Sequence, residues 1–156
     1  MAHRPYVAVI GPSDATSQET RNAEEIGRKL AEAGAVVVCG GLGGIMEAAC
    51  RGASTAAGTT IGLLPGTDRD SANEYLQIAL PTGLGELRNG LVIRAADAVI
   101  AVGGAYGTLS EIALALRTGV PVIGLNTWEI EGIERVKSAT EAVTRALQHA
   151  AGRGDS

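Results

Sequence analysis

In the stretch "VGGAYGTLSE" (102–111), Gly103, Gly104 and Gly107 surround Ala105 and Tyr106, and the chain then runs through Thr108 to Glu111 and into apolar residues. Backbone so poorly screened by side chains lets an anion approach, and the N–H groups that open a following helix add donors and a favourable dipole. A second cluster, "CGGLGGIME", places Gly40, Gly41, Gly43 and Gly44 within five residues, again ahead of a helical stretch. Between the two lies Arg88 in "GELRN", near the start of a helix, where a positive charge is mildly unfavourable against the macrodipole. Two anion loops and a cation can hold a phosphate, and a carboxylate nearby can act on the molecule that carries it. Thr108 and Glu111 also have a structural reading, because T-x-x-E is the spacing of a capping box and recurs at "TSQE" (16–19) beside no glycine loop. Tyr106, in a chain with 3% aromatic residues, either stacks on a ligand ring or covers the loop.

The elements that must position these residues are legible as short β-branched runs at 6–10, 35–39, 59–64, 98–102 and 121–125, with a weaker one at 76–80. Continuous apolar strands, rather than alternating ones, mark a parallel sheet covered on both faces. Amphipathic helical segments separate them. In "SQETRNAEEIGRKLAEAG", Ile26 and Leu30 share a face and Gly34 stands at the C-terminal stop. "IMEAACRGASTAA", "ELRNGLVIRAA", "LSEIALALRTG" and "SATEAVTRALQHA" read as further helices. The alternation predicts an α/β fold with a doubly wound, mainly parallel sheet and helices on both faces, whose ligands bind beyond the carboxyl ends of the strands. Both glycine clusters follow such ends. The loop after the first strand, "GPSDATS", has one glycine and lacks the dinucleotide fingerprint, and no P-loop motif occurs in the chain.

With 156 residues and 46% hydrophobic content, the chain suits one core, so residues 1–150 are expected to form a single domain, with 151–156 a disordered tail around "GRGDS". A net charge of −4 and scattered arginines lack the basic stripe of a nucleic-acid binder. The apolar run near the start is too short for a signal or membrane segment, which predicts a cytoplasmic protein with no membrane partner. Cys39 and Cys50 are expected to be reduced and buried, and His3 and His149 lie too far apart in sequence to suggest a metal, so neither metal nor resident cofactor is expected.

The motifs "CGGLGGIMEAACRGA", "GELRN" and "GGAYGTLSE" resemble those of the Rossmann-like proteins once labelled "possible lysine decarboxylases", which include the Lonely Guy phosphoribohydrolases. The match is closer to a short bacterial branch and to the molybdenum cofactor carrier proteins, and it covers nearly the whole chain. In the Lonely Guy enzymes, "PGGxGTxxE" holds a nucleoside 5'-phosphate, and its glutamate and an upstream arginine serve cleavage of the N-glycosidic bond. Those positions fall here on Gly103, Gly104, Ala105, Tyr106, Gly107, Thr108 and Glu111, with Arg88 upstream. Gly103 replaces the proline, Ala105 a glycine, Asn89 the lysine after the arginine, and Leu42 a serine of the other loop. The decarboxylase label fails on chemistry: a pyridoxal-phosphate enzyme needs a Schiff-base lysine, and Lys29 and Lys137 both lie away from the strand ends.

The resemblance therefore implies a nucleotide-binding domain with Glu111 and Arg88 as catalytic residues of a nucleoside 5'-monophosphate phosphoribohydrolase. The alternative is a non-enzymatic carrier of a phosphorylated pterin such as molybdenum cofactor. Either way the partner is a small phosphorylated molecule. Family members pair through helices beside the cleft, which implies a homodimer or higher even oligomer using "EIALALRTG".

Overall fold

The computed structural model describes residues 3–154. In chain order the elements are β1 (Tyr6–Ile10), α1 (Ser17–Glu32), β2 (Val36–Cys39), α2 (Ile45–Thr55), β3 (Thr59–Leu64), β4 (Ile78–Pro81), a 3-10 turn (Gly85–Arg88), α3 (Asn89–Ala95), β5 (Ala98–Val102), α4 (Tyr106–Thr118), β6 (Val122–Leu125), β7 (Glu134–Val136) and α5 (Ala139–Gly154). All seven strands pair in parallel, in the order β4-β3-β2-β1-β5-β6-β7. The α/β, doubly wound sheet is thus as the strand pattern predicts.

Alternation along each strand sorts side chains into two layers. Val7 and Val9 of β1 and Ala98, Ile100 and Val102 of β5 share one cluster with Ala23, Ile26 and Leu30 of α1, Ala48 and Ala49 of α2, and Ala142 and Ala146 of α5. Ala8 and Ile10, with Val99 and Ala101, face the other way, onto Val92 and Ile93 of α3 and Ile112 and Ala115 of α4. Strands buried on both faces need the unbroken apolar runs that made them visible in the sequence.

Thr16 caps α1 as its sequence suggests: its side chain accepts from the Glu19 N–H at 3.1 Å and Glu19 returns a bond to the Thr16 N–H. The helix closes at Ala33, and Gly34, at φ +80°, takes the left-handed turn. Several boundaries and one element differ from expectation. The segment from 86 begins as the 3-10 turn rather than as α-helix. Strand β7 carries no apolar run, being a three-residue edge strand with one buried side chain, Val136, and so left no mark in the pattern. Helix α5 continues through residues 151–154, where a disordered tail is expected, and its buried Ala142, Ala146 and Ala150 carry it on despite Gly152 and Gly154; Asp155 and Ser156 lie outside the described residues. Among those residues no helix is long and apolar enough to cross a membrane.

Candidate functional site

Sheet order reverses between β1 and β5, since the chain moves outward from β1 through β4 and then returns to β1's other side. Loops beyond such a reversal diverge and leave a crevice at the carboxyl ends of the strands. A cleft of ≈ 320 Å³ occupies that place, lined by the end of β1 through Ser13, by Gly40, Leu42 and Met46 after β2, by Arg88 and Asn89, and by Ala105, Gly107, Thr108 and Glu111 after β5.

Helix α4 opens into this cleft without a cap. Its N-cap residue is Ala105, which has no side chain to offer, and its first turn holds no acidic residue. The first intrahelical bond runs from the Leu109 N–H to the Ala105 carbonyl at 2.9 Å, so the N–H groups of Tyr106, Gly107 and Thr108 have no partner within the helix. Thr108 is only 2% exposed, and its hydroxyl has no hydrogen-bond partner among the described residues. Three N–H groups unpartnered within the helix and an orphaned hydroxyl at its N-terminus are donors from which an anion can accept hydrogen bonds.

The same geometry overturns the capping-box reading of Thr108 and Glu111. The helix starts two residues before Thr108, so both side chains belong to its body and neither caps it. Glu111 faces the cleft, 8% exposed, with no hydrogen-bond or salt-bridge partner among the described residues. Burial pushes its carboxyl up to about 7, against the opposing pull of Arg88.

Arg88 is also 8% exposed. Its Nε donates to the Leu63 carbonyl at 2.9 Å, Nη2 to the Gly40 carbonyl at 3.4 Å, and Nη1 to Oδ1 of Asn89. Neutral oxygens therefore fix the guanidinium in place, and among the described residues no carboxylate pairs with it as a salt bridge. The site holds a positioned positive charge that an anionic ligand would complete. A Cβ at Gly40 would lie 2.8 Å from Nη2 of Arg88 and 2.9 Å from Sδ of Met46, so a larger residue there displaces the ends of these two side chains. Gly44, at φ +66°, starts α2 where a Cβ would run into the carbonyl oxygens of Pro12 and Ser13.

Of the residues assigned to a ligand from sequence, Gly40, Arg88, Ala105, Gly107, Thr108 and Glu111 line the cleft, whereas Gly41, Gly43, Gly44, Gly103, Gly104 and Tyr106 do not. Tyr106 points outward, 84% exposed, and stacks on Trp128 with ring centroids 6.3 Å apart. Trp128 in turn donates from Nε1 to the Ala105 carbonyl at 3.1 Å, holding the loop from behind. Trp128 and Asn73 carry no signal of a site in the sequence, and the loop Gly11–Ser13, with its single glycine and no dinucleotide fingerprint, lines the cleft all the same. Asn73 ties the polar loop before β4 to the first glycine cluster: its N–H donates to the Gly41 carbonyl at 2.9 Å and its Nδ2 to the Leu42 carbonyl at 3.0 Å. An asparagine amid a polar loop gives no signal of such a distant role.

One substitution isolates the orphaned hydroxyl. Thr108→Val keeps the shape and removes a buried group without a partner, so the free protein should gain on the order of 1 kcal/mol in stability. Affinity for inorganic phosphate or a phosphate monoester should fall roughly tenfold, because a hydrogen bond to a charged acceptor contributes about 1.5 kcal/mol or more. Denaturant titration and calorimetry check the two halves, and unchanged affinity would remove the hydroxyl from the site.

Residues 4–151 match the model of the SLOG cluster4 family. An uncharacterized protein of Archaeoglobus fulgidus is 39% identical over 142 residues, which span 90% of this chain and 93% of that one. The molybdenum cofactor binding protein from Rippkaea orientalis superposes with a TM-score of 0.89 at 34% identity, over 95% of this chain and 98% of its own. The Moco carrier protein from Chlamydomonas reinhardtii gives 0.87 at 30% identity, over 96% and 99%.

Proposed function

The chain belongs to the SLOG cluster4 family, and from that premise we propose that it binds a small phosphorylated ligand as a cytoplasmic carrier, the ligand being a phosphorylated pterin such as molybdenum cofactor. The observation that carries the proposal is the uncapped start of α4, where the buried Thr108 hydroxyl and the free N–H groups of residues 106–108 lack partners that a phosphate would supply. Arg88 adds the positive charge. The two structural neighbours named for the molybdenum cofactor support the pterin, as they match this chain over nearly its whole length at 30% and 34% identity. Leu42 and Met46 give the cleft an apolar wall against which a flat heterocycle can lie.

A second reading has its own observation. Glu111, titrating near neutral pH beside a fixed arginine, suits acid–base work on a glycosidic bond. In that reading water attacks the anomeric carbon of a nucleoside 5'-monophosphate, the bond to the base breaks, and free base and ribose 5-phosphate leave. Glu111 orients the water and stabilises the oxocarbenium-like charge.

Mass spectrometry of small molecules released from the gently purified protein separates the two. A phosphorylated pterin supports the carrier; catalytic release of ribose 5-phosphate from purine or pyrimidine monophosphates moves the function to hydrolysis. In both cases a phosphate monoester should stabilise the fold far more than its unphosphorylated counterpart. With AMP and adenosine as probes, AMP at a hundredfold excess over its Kd should add about 2.7 kcal/mol. Equal thermal shifts would count against the phosphate loop.

The chain is further proposed to form a homodimer or higher even oligomer through the surface of α3 and α4. Within "EIALALRTG", Ile112 and Ala115 pack on the sheet, but Leu114 is exposed, as are Tyr106, Leu91 and Leu87, the last at 79%. Sedimentation at micromolar concentration should give an even multiple of 15.8 kDa, and a monomer would refute the pairing.

A further inference from the structure

Cys39 and Cys50 bring two free thiols to a sulfur–sulfur distance of 3.6 Å beneath the first glycine loop. Cys39 is the last residue of β2, immediately before Gly40, and Cys50 sits one turn beyond Met46 on α2. Both are fully buried, yet Leu42 and Met46, which pack against them, also line the cleft. A flexible thioether and a leucine thus separate the sulfurs from solvent, and a reagent little larger than water needs only their movement to reach the pair. Among the described residues no group of three His, Cys, Asp or Glu converges as a metal site, so the pair has no such set of ligands.

From this geometry we propose that Cys39 and Cys50 form an oxidisable dithiol, closed to a disulfide by hydrogen peroxide, and that closing it shifts the glycine loop and arginine of the ligand cleft. The Cys50 thiolate attacks one peroxide oxygen, breaking the O–O bond to give a Cys50 sulfenic acid and hydroxide, which takes up a proton to become water. The Cys39 sulfur then attacks the Cys50 sulfur, forming the S–S bond and releasing the second water. The two thiols lose two electrons and two protons, and one peroxide takes them up to become two waters. Cys50 is suited to the first step: its hydrogen bond with Cys39 and a further one with Asn73 hold its thiol below the usual range against the effect of burial. Cys39, sharing that bond and wholly buried, is held well above it.

Closure requires movement. A disulfide sets its sulfurs about 2.05 Å apart. β2 is paired on both sides within the sheet, so the approach falls to rotation of the two side chains and to shifts of α2 or the glycine loop. The Gly41 N–H donates to Cys39 Sγ at 3.3 Å and the Gly40 carbonyl accepts from Arg88, so the displacement reaches both.

The test treats the reduced, full-length protein with hydrogen peroxide, quenches with acid, and alkylates under denaturing conditions. The expected product has lost two hydrogens and takes up no alkylating reagent, and a dithiol reductant restores both thiols. Two alkylatable thiols after treatment, or oxygen added to either sulfur without loss of the pair, would overturn the dithiol. Cys50→Ser should lose the disulfide, and Cys50→Ala gives the same reading should the serine fold poorly. Coupling to the cleft is read without any ligand, from the NMR signals of the Gly41 amide and the Arg88 Nε–H. Both should move on oxidation and return on reduction; a disulfide that leaves both in place would overturn the coupling.

Discussion

Gly107→Ala should weaken phosphate binding by between tenfold and about a hundredfold while leaving the protein as stable as before or more so. Gly107 is in the first turn of α4 and lines the cleft, and a Cβ added there meets no atom within 4 Å. Its backbone is not in the left-handed region, so alanine fits without strain and brings the helix preference of roughly 0.5–1 kcal/mol over glycine. The methyl group instead occupies space that the ligand needs. Crowding of one methyl against a packed partner costs about 1–3 kcal/mol, and each 1.4 kcal/mol is tenfold in affinity. Calorimetry with inorganic phosphate and AMP, beside denaturant unfolding of the free protein, reads both effects. Lower stability together with unchanged affinity would show that the open space at Gly107 has nothing to do with a ligand.

Glu111→Gln should remove a pH dependence that the wild-type protein carries. The unfolded carboxyl titrates near 4.5 and the folded one near about 7. Below both values each state holds the proton and Glu111 has no effect on stability. Between them the folded state keeps a proton that the unfolded state has released, so stability falls as pH rises, and the loss levels off above the folded value at on the order of 3 kcal/mol. Glutamine is neutral throughout. The variant should therefore match the wild type near pH 4 and exceed it near pH 8 by that amount in denaturant titrations. Parallel curves across the range would mean that Glu111 is ionised in the folded protein at neutral pH.

Glu111 also shows where the sequence stops being informative. T-x-x-E occurs at 16–19 and at 108–111, and only the first is a capping box, because spacing fixes the distance between two residues but not the phase of the helix that holds them. The glycines before Thr108 let the chain turn earlier, at Ala105. Strands β1, β2, β3, β5 and β6 were legible because burial on both faces demands apolar runs, whereas β7 needs one buried valine and gave no signal. Arg88 stood out in sequence for lying against the helix dipole. Its burial and its fixed orientation depend on the carbonyls of Gly40 and Leu63, dozens of residues away, and on Asn89, where the resembling enzymes have lysine. Gly11–Ser13 line the cleft because β1 sits at the sheet's reversal, a property of topology rather than of the loop's own residues.

A phosphate group received at the start of α4 is tested most directly by an NMR titration of the backbone amides with AMP, adenosine and inorganic phosphate. AMP and phosphate should both move the Tyr106, Gly107 and Thr108 amides more than any others, and adenosine should leave those three in place. Largest shifts at other amides, with residues 106–108 unmoved by either phosphate compound, would contradict it.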